Sequence, residues 1–114
     1  MRLRGVFFKT AAGNEPVREW IKSLPREEQT FIGKRILAVQ YRWPVGMPLV
    51  RKLEEDLWEV CVTLDNRTAR MLFTIQEDTL MLLLHGFIKK SRKTPQEDLD
   101  LARRRLRELR NRQV

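Results

Sequence analysis

The chain has one cysteine, one histidine and no apolar run longer than Leu80 to Leu84. Each scarcity excludes something. A lone Cys61 has no partner for an internal disulfide and no companions at metal-ligand spacing, which fits a reducing compartment. The Leu80–Leu84 run falls far short of the roughly 20 residues a membrane-spanning helix needs. The opening MRLRGVFFKT lacks the hydrophobic core of a signal peptide, so a cytoplasmic protein without membrane attachment is expected. No repeat, low-complexity segment or linker interrupts the 114 residues, and that length fits one compact domain over 1–114.

Acidic residues are also in short supply. Twenty-three Lys and Arg face 15 Asp and Glu, for a net charge of +8 and a pI near 10.4. A field of that sign favours polyanions, nucleic acid first. The imbalance is local: from Lys89 onward ten basic side chains face four acidic ones, so six of the eight net charges lie in the last quarter.

What is present reads as β-α-α followed by at least three antiparallel strands and a last helix. Residues 2–8 form a short strand. Glu15-Pro16 opens a helix with Val17, Trp20, Ile21 and Leu24 at helical spacing. Pro25 opens a second, with Glu27 and Glu28 in its first turn and a buried stripe of Ile32, Ile36, Val39 and Trp43. Pro44, Gly46 and Pro48 end it. LWEVCVTL then alternates with period two, Asp65-Asn66 makes a tight turn, and ARMLFTI continues the hairpin. Glu77-Asp78 turns the chain into LMLLLHGF. Thr94-Pro95-Gln96-Glu97 has the form of a capping box ahead of a helix striped by Leu99, Ala102, Leu106 and Leu109.

Register brings separated residues together. A two-residue loop at 65–66 sets Trp58 opposite Phe73, Val60 opposite Met71 and Val62 opposite Ala69, all apolar as a helix-packed face requires. A two-residue loop at 77–78 sets Ile75 opposite Leu80, Phe73 opposite Leu82 and Met71 opposite Leu84. On the other face, Arg70 then stands between Cys61 and His85, with Glu59 one pleat from Cys61 and with Phe87 and Lys89 beyond His85. Lys90, Arg92 and Lys93 follow in the loop. Each of these has an ordinary structural reading: a strand arginine paired with a carboxylate, a hydrogen-bonded histidine, a half-buried thiol, a wet helix face. His85 has no second His or Cys at ligand spacing, so a metal site is not expected. As a group they suit a phosphate-handling surface.

The segments GNEPVREWIKSL, KLEEDLWEV, ARMLFTI and LHGFIKKSRKTPQEDLDLARRR together resemble the phage-derived HigB-like branch of the RelE/HigB/ParE superfamily of toxin–antitoxin toxins. The last segment is the most specific. The resemblance implies a small α+β RelE-like fold: an antiparallel-rich sheet with two N-terminal helices on one face, a basic concave side on the other, and a C-terminal helix flanking it. It implies a metal-independent endoribonuclease without cofactor, an mRNA interferase that inhibits translation at the ribosome and is neutralised by a helix-turn-helix antitoxin. The family's basic site positions match Lys52, Arg70, Lys89 and Lys90; Glu59 matches the glutamate of LWE and His85 the histidine before Gly86. On this reading Arg70 stabilises transition-state charge, Lys89 and Lys52 bind phosphate or transfer a proton, and His85 is acid or base. Lys90, Arg92 and Lys93 bind RNA. One departure stands out. Where the family usually carries an arginine after LWEV, this chain has Cys61, which implies a weakened site. The alternative is a non-catalytic binder, either a ParE-like gyrase inhibitor or a degenerate toxin held in an antitoxin complex.

Overall fold

A computed structural model describes residues 2–112. In chain order the elements are β1 (Arg4–Phe7), α1 (Pro16–Lys22), α2 (Arg26–Arg42), β2 (Val50–Glu54), β3 (Leu57–Thr63), β4 (Thr68–Gln76), β5 (Leu80–Lys89) and α3 (Gln96–Arg112). The strands form one sheet in the order β1-β5-β4-β3-β2. β1 runs parallel to β5, and every other neighbouring pair is antiparallel. This is the mixed α+β architecture expected from the alternation of helical and period-two segments. Among the described residues no helix is long and apolar enough to cross a membrane.

Prolines set the helix starts. Pro16 takes the first helical position of α1, where a missing N–H costs nothing, and Pro25 stands at the cap of α2. The Ser23 hydroxyl donates to the Trp20 carbonyl at 2.6 Å and closes α1. These two helices bury Val17, Ile32, Ile36 and Val39 against Val60, Val62, Met71, Phe73, Met81 and Leu83 of the sheet. The other face carries a second cluster: Ala102 and Leu106 of α3 pack on Phe8, Leu57, Leu72, Leu84 and Phe87.

The β3–β4 hairpin has the expected register, with Trp58 opposite Phe73, Val60 opposite Met71 and Cys61 opposite Arg70. The β4–β5 hairpin does not. Glu77 and Asp78 do turn the chain, both at positive φ, but Thr79 adds a third loop residue, so Gln76 pairs with Leu80. An irregularity beside Leu72 and Phe73 then inserts Leu84 as an extra residue. Ile75 therefore faces Met81 rather than Leu80, Phe73 faces Leu83 rather than Leu82, and Met71 faces Gly86 rather than Leu84. Arg70 faces Phe87, two residues beyond His85. A shift of two preserves the face, so His85, Phe87 and Lys89 still share Arg70's side of the sheet.

The capping box is also rearranged. The Thr94 hydroxyl donates to Glu59 of β3 at 2.7 Å, and the Pro95 carbonyl receives the first N–H groups of α3, those of Asp98 and Leu99.

Candidate functional site

α3 covers Leu72 and Leu84 in the middle of its sheet face. One pair further along the same face are Cys61, Arg70 and Phe87 on adjacent strands, and beyond them Thr68 lies opposite Lys89. Strand alternation fixes this placement: the residues between, Val60, Val62, Ala69 and Met71, are spent on the core under α1 and α2. Thr68, Arg70, Lys89, Lys90, Ser91 and Arg92 line a shallow depression of about 480 Å³.

The floor of the site is a buried carboxylate. Glu59 is 0% exposed, and its Oε1 lies 3.4 Å from Nε of Arg70, whose side chain is 15% exposed. Arg70 also donates through Nη1 to the Ala69 carbonyl at 3.2 Å. Because Glu59 is closed off from solvent, it acts on Arg70 from beneath and does not reach a ligand on the surface. Above it the charge is positive. Lys89 is held below the usual lysine range, mainly by burial and then by repulsion from Arg70, with a smaller push from Arg51; Glu59 and Cys61 oppose the shift. Burial raises the Cys61 thiol against the pull of Arg70, so at neutral pH it is a protonated thiol and not a nucleophilic thiolate. Lys90, Arg92 and Lys93 are exposed, and none pairs with a carboxylate among the described residues.

Of two residues singled out in the sequence, one lies elsewhere and the other is already engaged. Lys52 pairs in register with Trp58, on the α1/α2 side of the sheet, where its ammonium sits 5.7 Å from the Trp58 ring centre and 3.7 Å from Glu55. Its neighbour Arg51 takes the Arg70 side instead, opposite Glu59. Register slips between Lys52 and Glu54, and that bulge decides which of the two cations faces the site. The signal was Val50: an apolar residue buried under the helices forces position 52, two residues on, to the same face. His85 is on the site face but engaged. Its Nε2 is 2.6 Å from Asp98 of α3, and its ring stacks on Phe87 at 5.5 Å. Burial lowers its pKa more than Asp98 raises it, so the ring is neutral at pH 7.

The HGF sequence is thus a two-sided joint. His85 ties β5 to α3, and Phe87 packs beneath α3. Gly86 faces the other way, where a Cβ would come within 2.4 Å of Cε3 of Trp20 from α1. Only glycine admits the indole there.

The unpaired cations of this face suit an anionic ligand with repeating phosphates. No curated protein matches the chain. A family model described as phage-derived protein Gp49-like (DUF891) matches residues 19–107, from α1 through most of α3, and so includes every residue of the site. The chain therefore belongs to the Gp49-like phage-derived protein family, one of the RelE/ParE-like toxin superfamily, whose members are associated with toxin–antitoxin toxins and so with an antitoxin partner.

Proposed function

We propose that this protein is the toxin of a type II toxin–antitoxin pair on the HigB-like branch, cleaving mRNA at the ribosome and neutralised by a helix-turn-helix antitoxin. The observation that carries the reading is the set of cations on one sheet face, Arg51 and Lys89 without a carboxylate partner among the described residues and Arg70 held from below by Glu59, beside the basic loop Lys90–Lys93. RNA supplies its own nucleophile, the 2′-OH. Its oxygen attacks the adjacent phosphorus, the bond to the 5′ oxygen breaks, and the products are a 2′,3′-cyclic phosphate and a 5′-hydroxyl. Such a reaction asks the protein for charge stabilisation on the phosphorane and for proton transfer at two oxygens.

Arg70 and Arg51 supply the first. Lys89 supplies a proton to the leaving 5′ oxygen, its lowered pKa making it a stronger acid than a free lysine, and the 2′-OH gives up its own proton to solvent water. Lys90, Arg92 and Lys93 hold neighbouring phosphates. Glu59 and His85 act behind this layer, one under Arg70 and the other through α3.

The test is cleavage of translated mRNA in a cell-free extract, mapped by primer extension. Discrete cuts suppressed by both Arg70→Ala and Lys89→Ala support an interferase using this face. Cuts indifferent to both would remove the site from the chemistry. One observation favours a binder instead: Cys61 puts a neutral thiol directly opposite Arg70, so no second cation faces it from β3. A folded wild type that cuts nothing would favour that second reading.

A further inference from the structure

Among the described residues, two buried side-chain atoms lack a hydrogen-bond partner: Oε1 of Glu59 and Nε of Arg70. They are 3.4 Å from each other. Buried polar atoms left unpaired are uncommon enough to need a reason. Here the two orphans form an ion pair whose geometry stops short of a hydrogen bond, with the carboxylate fully enclosed. Its second oxygen is held by the Thr94 hydroxyl at 2.7 Å. Thr94 directly follows the basic segment Lys90–Lys93 and precedes α3.

We propose that Thr94 and Glu59 are positioning residues for Arg70, so that the anchoring of the 90–93 loop and the aim of the guanidinium are one mechanical unit. The carboxylate has two oxygens and a fixed plane. When Thr94 holds one, the direction of the other is set, and with it the point toward which the Nε–H of Arg70 is drawn. Loss of the Thr94 hydroxyl frees the carboxylate to rotate onto Arg70 alone, which pulls the guanidinium down from the surface. Glu59 is enclosed by the sheet and the start of α3, and the charged groups around it are Arg70, Lys89 and, across the strand pair, Arg51. No other carboxylate competes for Arg70 among the described residues. Consequences for catalysis rest on the RNA-cleavage reading; the mechanical coupling does not.

Thr94→Val keeps the shape and removes the hydroxyl, and Thr94→Ser restores it. In the full-length chain labelled with ¹⁵N, the Arg70 Nε–Hε resonance is assigned by its loss in Arg70→Lys. It should move in Thr94→Val and return in Thr94→Ser; an unmoved resonance in folded Thr94→Val overturns the relay, whether or not the protein cuts RNA. In the cleavage assay, Thr94→Val should lower kcat by roughly 10- to 100-fold, the cost of misplacing a charged group by about an ångström, with KM nearly constant. In an Arg70→Lys background the same change should add less than about twofold, because residues acting through one another are not additive. A full additional loss in that background would make Thr94 a structural residue only. A wild type without cleavage would refute the catalytic reading and leave the resonance to decide the coupling.

Discussion

Two parts of this protein are rich in arginine and lysine, and they differ in how the charge is used. On α3, Arg103 reaches Glu54 and Asp100, and Arg110 reaches Asp56 at 2.6 Å. Arg112 meets Glu108 and the Lys9 carbonyl. Arg105 donates to the Leu84 carbonyl at 2.7 Å. These side chains strap the helix to the β2–β3 turn, to β5 and to the segment after β1. At the other end of the same sheet face, Arg51, Lys89, Lys90, Arg92 and Lys93 have no such partners among the described residues, and Arg70 has only the loose contact from below. Arginine count alone would rank α3 first, with six against the three of the sheet-face site, Arg51, Arg70 and Arg92. Pairing reverses the ranking, because a cation already matched by a carboxylate offers little to an incoming phosphate.

The sharpest way to break this contrast is to delete one cation from each part. Arg70→Ala should slow RNA cleavage by roughly 10²–10³, the usual cost of losing a preorganised charge-stabilising donor. Arg110→Ala should leave the rate within about twofold. Equal losses would mean that the site extends along α3. Next in size is Cys61→Arg, which puts a second cation directly opposite Arg70. If the thiol marks a weakened site, cleavage should rise, by up to about 10². An unchanged or lower rate would show that Arg51, across β3, already fills the role.

The sequence made one hairpin legible and not the other, for a physical reason. LWEVCVTL and ARMLFTI alternate apolar and polar residues, so parity fixes the pairing of Cys61 with Arg70. LMLLLHGF is apolar at almost every position because both faces of β5 are covered by helices, and an unbroken apolar run carries no parity. The three-residue loop and the inserted Leu84 were therefore invisible: before Leu84 the register moved by one, so Leu84 packs under α3 and not beside Met71, and beyond it the register moved by two, which left the face of residues 85–89 intact. That is why Arg70, His85, Phe87 and Lys89 were assigned to the right side with the wrong partner. Lys52 and Arg51 exchanged places through a single bulge, which leaves no mark in composition. Thr94 was misread because a capping pattern is local, whereas its partner Glu59 lies 35 residues away.

A third experiment separates scaffold from site within HGF. Gly86→Ala forces a methyl against the Trp20 ring, and overpacking of this kind costs about 1–3 kcal/mol. Denaturant unfolding should show that loss, while the affinity of the folded variant for RNA stays the same. A drop in affinity at full folding would place Gly86 in the interface. Smaller still is the salt effect. Lys90→Ala should reduce the slope of log affinity for single-stranded RNA against log salt by roughly 0.7, one phosphate contact's worth. Arg110→Ala should leave the slope alone, since its charge is spent on Asp56.

The smallest effect is expected from pH, and it reaches only one of the two regions. His85 carries the contact that ties β5 to the first turn of α3. Burial holds its pKa below the ordinary value near 6.5, with Arg105 adding to the depression and Asp98 opposing it. Between that lowered pKa and about 6.5 the unfolded chain binds more protons at this position than the folded one, so stability rises with pH across the window and is lost as pH falls through it. The cations of the sheet-face site do not include His85, whose ring is engaged with Asp98. Thermal unfolding at about pH 5.5 and about pH 7.5 should therefore show a lower midpoint in acid for the wild type and a smaller difference for His85→Gln. RNA binding by protein that is still folded should be nearly flat over the same range. If His85→Gln keeps the whole acid loss, the sensitivity belongs to carboxylates such as those strapping α3, and the helix rather than its joint to β5 is the acid-labile element.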